Sequence, residues 1–287
     1  MGTISDPRIG IALGGGAARG LAHIPFIEAM DELGLVPHRI AGTSIGALIG
    51  SGWAAGLKGR EIRGLSYEML GTMNGLFGRL LSTQVRSMAK IFREGISIQL
   101  DPVQVVDTFT PDDMPETFQG LKIPFTCVAT DFRSWHQVAF HEGALKPALA
   151  ASLAVPSLYR PVHYHKTVLV DGGVVNPLPL DHAAAGADIL VGIDVNGDPH
   201  AWPDGYIPTM LDIGFGSAQI MMHQLIAHMI AAYPPDLYFR PHHVNIGAHE
   251  YWRVREIIKA GEAEKDRFKR EISAKVEGFI AAQRKIS

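Results

Sequence analysis

The chain has 287 residues, of which 47% are hydrophobic and 19% charged, a balance that excludes a disordered protein and allows a substantial buried core. Its 26 Lys and Arg against 29 Asp and Glu leave a formal net charge of −3, so no overall basic field draws in nucleic acid, and any membrane contact has to be local and largely apolar. A single cysteine, Cys127, excludes an internal disulfide, and no apolar run approaches the roughly 20 residues of a membrane-spanning helix.

The opening MGTISDPRIG lacks the basic stretch of a secretory signal, and a cytoplasmic protein, at most peripheral to a membrane, is expected. Arg8 to Leu13 reads as a short buried strand, followed by the glycine loop GGGAARG (Gly14 to Gly20). A helical pattern with Ile24, Ile27, Met30 and Leu33 on one face then covers Leu21 to Leu33, and Pro25 inside it should kink the helix or delay its start. Val36 to Ala41 is the second strand candidate, and ALIGSGWAAG, after Ser44, reads as a small-residue helix. Two strand-helix units in 57 residues point to an α/β fold with a parallel sheet.

Arg60 to Phe92 is helical in tendency and rich in Leu and Met, which suits core packing or, alternatively, a lid or lipid-facing cap. IPFTCVATD (Ile123 to Asp131) and HQVAF (His136 to Phe140) read as paired strands. ASLAVPSLYRPV leads to the strand TVLVDGG, ending at Gly173, and ADILVGIDV (Ala187 to Val195) is a further buried strand behind a short helix. MMHQLIAHMI reads as a packed helix, and Phe268, Ile272, Val276 and Phe279 stripe a last charged helix. No repeat or linker interrupts the chain, so one domain over 1–287 is expected, with a core at about 8–195 and a helical part at about 210–287.

Gly42-Thr43-Ser44-Ile45-Gly46 has the G-x-S-x-G pattern of a nucleophile elbow. There, glycines relieve a crowded strand-to-helix turn, the serine hydroxyl is exposed at a helix N-terminus, and the next N–H, on Ile45, points toward a developing oxyanion. Helix capping by Thr43 or Ser44 explains the same residues. The glycine loop adds weight, because glycines let successive N–H groups converge on one anionic oxygen. A dinucleotide loop fits poorly: counted from Gly14, Arg19 stands at the third glycine position, and counted from Gly15, Ala17 stands at the middle one. No Gly-Lys-Ser/Thr follows to make a P-loop.

Two kinds of base remain open for Ser44. A Ser-Asp-His order ending at His242, His243 or His249 would make a conventional triad, although that fold normally places more strands before its nucleophile. Asp171, in LVDGGVVNPLP, closes an apolar strand, and a carboxylate within reach of a serine hydroxyl can act as general base without an imidazole.

Together, GGGAARG, GTSIG, ASLAVPSLYRPV and VDGGVVNPLP, in this order, resemble the patatin-like phospholipases, with a weaker similarity around DLYFRP. The resemblance implies a patatin-like three-layer α/β/α sandwich with a largely parallel central sheet, and a serine lipid acyl hydrolase acting through a Ser-Asp dyad. It makes Ser44 the nucleophile, Asp171 its base, and Gly15, Gly16, Ala17 and Arg19 the oxyanion loop, with Gly42, Gly46, Gly172 and Gly173 shaping the two turns. The family commonly has glycine where Ala17 stands. No metal or organic cofactor is implied, and the expected partner is a lipid or fatty-ester substrate. A non-catalytic lipid-binding module and an acyltransferase are the other readings compatible with the motifs.

Overall fold

The computed structural model describes residues 6–70, 99–198, 204–242 and 246–286. Among the described residues eight strands form one sheet: β1 (Ile9–Leu13), β2 (Arg39–Thr43), β3 (Phe125–Asp131), β4 (Gln137–Phe140), β5 (Val162–Tyr164), β6 (Thr167–Asp171), β7 (Ile189–Ile193) and β8 (Leu237–Phe239). They run in the order β5-β6-β3-β2-β1-β7-β8, with β4 beside β3. The strands β3, β2, β1, β7 and β8 are parallel, whereas β4 and β6 run antiparallel to β3. The sheet is therefore mixed but largely parallel, and helices cover both faces.

The central strands are buried on both sides and alternate accordingly. Ile9, Ile11 and Leu13 of β1 enter the larger core, with α1 (Ile24–Glu32), α2 (Ile45–Ala55) and the long α8 (Val254–Ile286). Ala12 and Ala41 face the other way, toward Leu178 and Leu180, at α6 (Leu180–Ala183), and Ile226 of α7 (Met210–Ala232). Small residues on this second face permit close approach: a Cβ at Gly10 would lie 2.1 Å from the Ala183 carbonyl. The remaining α-helices among the described residues are α3 (Gly59–Leu70), α4 (Pro102–Phe109) and α5 (Leu145–Ser152).

Pro25 delays its helix instead of kinking it. Residues Ala17–His23 form a 3-10 turn, and Pro25 stands in the first turn of α1, where its missing N–H costs nothing. The second strand begins later than the apolar run suggests, at Arg39, and Val36 is exposed. Of the Arg60 to Phe92 stretch, only the part up to Leu70 is helix within the described residues; the rest, and with it the lid reading, falls outside them.

The last helix packs as its stripe predicts. Phe268 meets Phe26 of α1 and Phe239 of β8 at ring-centroid distances of 5.3 and 5.2 Å, and Lys265 and Lys269 bind Glu32. In contrast, α7 does not pack as a core helix: among its described side chains only Ile226 is buried. Cys127 lies fully inside β3 with its thiol pushed up to about 12 by burial. It should stay unreactive toward a thiol reagent such as DTNB at pH 8 while folded, and one equivalent should appear on denaturation.

Candidate active site

The second βα turn builds the site. Ser44 follows β2 directly and sits at φ 55°, ψ −125°, a conformation that costs a non-glycine residue about 1–3 kcal/mol. Hydrogen bonds hold it there. The Ser44 carbonyl accepts from the N–H groups of Ala47 (2.9 Å) and Leu48 (3.1 Å), and its own N–H donates to Ser152 Oγ at 2.8 Å. The flanking glycines are sterically required: a Cβ at Gly42 would meet the Gly46 carbonyl at 2.6 Å, and one at Gly46 the Leu13 carbonyl at 2.3 Å.

Asp171 reaches Ser44 by an unexpected route. Thr43 of β2 pairs with Val128 of β3, and Asp171 of β6 pairs with the next residue, Ala129. Val128 and Ala129 both also pair with β4, so β2 and β6 share the other edge of β3. The two strands run toward each other and meet end to end, which brings the residue after β2 against the last residue of β6. The closeness is tight, since a Cβ at Gly172 would lie 2.2 Å from the Val128 carbonyl.

At this junction Ser44 Oγ donates to Asp171 Oδ2 at 2.5 Å, and the Gly173 N–H donates to Oδ1 at 2.7 Å. Thr130 Oγ1 donates to the Asp171 carbonyl at 2.8 Å and fixes its backbone. Ser44 and Asp171 are both buried. Burial disfavours the carboxylate and is the largest influence on it; the hydrogen bonds from Ser44 and Gly173 oppose it, leaving the Asp171 pKa raised to about 6. A base poised near neutral pH beside a serine hydroxyl is an arrangement suited to proton abstraction.

The glycine loop lies against the same hydroxyl, with a Gly15 Cβ position 3.5 Å from Ser44 Cβ. Its donors divide. The N–H groups of Gly14 and Gly15 are bound to the carbonyls of Ile193 (3.0 Å) and Pro177 (2.9 Å), whereas those of Gly16, Ala17 and Ile45 have no protein acceptor among the described residues. Ala17 has φ 51°, the left-handed region that glycine enters freely. Arg19 is buried and directs its guanidinium away from Ser44, donating to the carbonyls of Ile246 (3.0 Å) and Asn196. It clamps the loop from behind.

The sequence assigns no role to two supporting residues, His23 and, within the ASLAVPSLYRPV motif, Ser152. Ser152 sits fully buried in α5 and passes a hydrogen bond from Ser44 N–H to the Val128 carbonyl (2.6 Å). A serine in the apolar run ALAASLA was the available clue, because a buried hydroxyl needs partners. His23, also fully buried, donates from Nε2 to the Gly14 carbonyl at 2.9 Å. Ser152→Ala would strand a buried donor and acceptor, and should cost about 1–3 kcal/mol in denaturant unfolding. Of the histidines weighed as bases, His242 lies 3.4 Å from the Asp198 carboxylate, His249 packs on Trp252, and His243 lies outside the described residues.

An apolar cavity begins at Ile45, next to Ser44. Ile45 and Leu153 line it near Ser44 and Ser152, and it extends between α2, α3 and α4 past Leu48, Met69 and Phe109 and opens to solvent. Tyr159, on its wall, has its hydroxyl pKa pushed up to about 12, by burial first and then by the charge of Asp171. Among the described residues no cluster of His, Cys, Asp and Glu could hold a metal ion.

A family model described as patatin-like phospholipase matches residues 11–184, a span that contains the glycine loop, Ser44 and Asp171. The chain belongs to this family. This patatin-like protein is 34% identical over 194 residues to an uncharacterized NTE family protein of Mycobacterium tuberculosis, an alignment covering 67% of the chain and 50% of that relative. It is 29% identical over 207 residues to the lysophospholipase NTE1 of Pyricularia oryzae, covering 70% of the chain and 13% of that protein. The chain thus spans half or less of the length of these relatives. Among solved structures, VipD from Legionella pneumophila aligns with a TM-score of 0.49 and 13% identity, over 92% of this chain and 67% of VipD.

Proposed function

We propose that the protein is a serine lipid acyl hydrolase working through a Ser44–Asp171 dyad. The observation that carries this is the 2.5 Å hydrogen bond from Ser44 Oγ to a buried carboxylate whose pKa is raised to about 6. Asp171 takes the hydroxyl proton as Ser44 attacks the ester carbonyl, and the tetrahedral oxyanion forms against the N–H groups of Gly16, Ala17 and Ile45. The protonated Asp171 then gives its proton to the departing alcohol, leaving an acyl enzyme on Ser44. Water, deprotonated by the same carboxylate, releases the fatty acid and restores the dyad.

The cavity supports a fatty acyl substrate, since its lining is largely apolar. The family and the relative named a lysophospholipase support phospholipids and lysophospholipids as the substrates to try first. The expected site of action is cytoplasmic or peripheral to a membrane; among the described residues no helix is long and apolar enough to cross one. A panel of phospholipid, lysophospholipid and simple fatty esters, run beside Ser44→Ala, tests the reading. Release of fatty acid by the wild type alone is expected; no turnover of any ester would favour a lipid-binding module instead.

A further inference from the structure

Helix α7 has two faces of different character. Its inner face holds the back of the site: Gln219 Nε2 donates to the Asn196 carbonyl at 3.0 Å, the carbonyl that Arg19 also binds, and Ile226 is buried in the second core. Met222 lies beside the turn that carries the base, since a Cβ at Gly173 would be 3.2 Å from its methyl group. Its outer face is apolar and open. Met210, Ile213, Ile220 and Met221 share that face by helical spacing and are 79%, 58%, 63% and 60% exposed, and Ile207 just before the helix is exposed too.

From Ile213 to Ala232 the helix has no Asp, Glu, Lys or Arg, and the acid at its start, Asp212, is tied into the capping box with Thr209. A helix apolar on its outer side is normally covered. The apolar part, residues 210–221, is about 17 Å long, too short to span a bilayer and suited to lying along one. Val174, next to Gly173 in the dyad turn, is half-exposed.

We infer that the outer face of α7 seats on the surface of a lipid bilayer, with the Ser44–Asp171 turn held at the membrane by the inner face of the same helix. The choice of a bilayer over a second copy of the chain rests on the lipid-hydrolase reading, on the uncharged character of the face and on the approach of Met222, of the same helix, to the turn that carries Asp171. With a net charge of −3, contact comes from apolar insertion and should change little with salt, unlike the electrostatic adsorption of basic proteins.

Flotation of the Ser44→Ala protein with unilamellar phosphatidylcholine vesicles tests this without digesting them. The protein should float with the vesicles at low and high salt, and adding Ile213→Glu and Met221→Glu should lower its partition at least tenfold. The same pair in the otherwise wild-type chain should hydrolyse a short soluble ester within twofold of normal. If the glutamates unfold the chain, Ile213→Ser with Met221→Ser replaces them. Failure of the parent protein to float, equal flotation of the pair, or a concentration-dependent dimer that the pair dissociates would overturn the docking face. Hydrolysis of the soluble ester without flotation would leave the hydrolase reading standing, whereas flotation without hydrolysis of any ester would sink that reading and keep the face.

Discussion

Ser44→Ala is expected to lower ester hydrolysis by about 10⁴-fold or more, because removing a nucleophile that acts as a unit with its base leaves only binding and oxyanion stabilisation. The fold should survive. The strained turn is held by backbone bonds from Ala47 and Leu48 and by Ser152, none of which uses the hydroxyl. One consequence is local: the hydrogen bond from Ser44 is among the influences that lower the Asp171 pKa, so its loss should move that pKa further up. Rate measurements on a soluble ester, with circular dichroism as the control for folding, check both parts.

Asp171→Asn should lower turnover by a comparable factor, about 10³–10⁴-fold, since an amide cannot accept the Ser44 proton. In the wild type, kcat/KM should rise with pH along a limb centred near 6, where the carboxylate becomes ionised, and then level off; the variant should lose that limb. Stability should move the other way. Because the folded pKa lies above the ordinary value of 3.8, the native state holds the proton more tightly than the unfolded chain. Stability is therefore greatest below about pH 4 on this account and falls as pH rises to about 6. The shift corresponds to about 3 kcal/mol. An uncharged amide in place of the carboxylate carries no such cost, so the stability of the variant relative to the wild type should increase by up to that amount between pH 4 and pH 7 in urea titrations. Activity and stability would then be opposed at one carboxylate.

The residues of this candidate site were more legible in the sequence than the way the fold brings them together. The α/β class followed from the alternation of short apolar strands and helical patterns, and β1, β3, β4 and β7 lie where apolar runs place them. The reason Asp171 meets Ser44 was not legible. Strand direction is decided by tertiary pairing, and TVLVD reads equally well as a parallel or an antiparallel strand; only the register against β3 makes β6 end where β2 ends. Gly14 to Ala17 could be identified as a loop of potential donors, but which N–H groups are already bound depends on Pro177 and Ile193, far along the chain. The role of Ser152, inside ASLAVPSLYRPV, was not legible for a similar reason, because its partners are contributed by Ser44, at the end of β2, and by β3. The α7 segment reads as a packed helix from composition alone, and periodicity does not say whether an apolar helix is covered.

The most direct test of the dyad is covalent labelling with a fluorophosphonate, followed by intact-mass analysis and peptide mapping. A single adduct is expected, on Ser44, forming faster as pH rises through about 6 in the wild type, and at least a hundredfold more slowly in Asp171→Asn. An adduct on another residue, a folded wild-type protein that stays unlabelled, or undiminished labelling of Asp171→Asn would contradict the dyad.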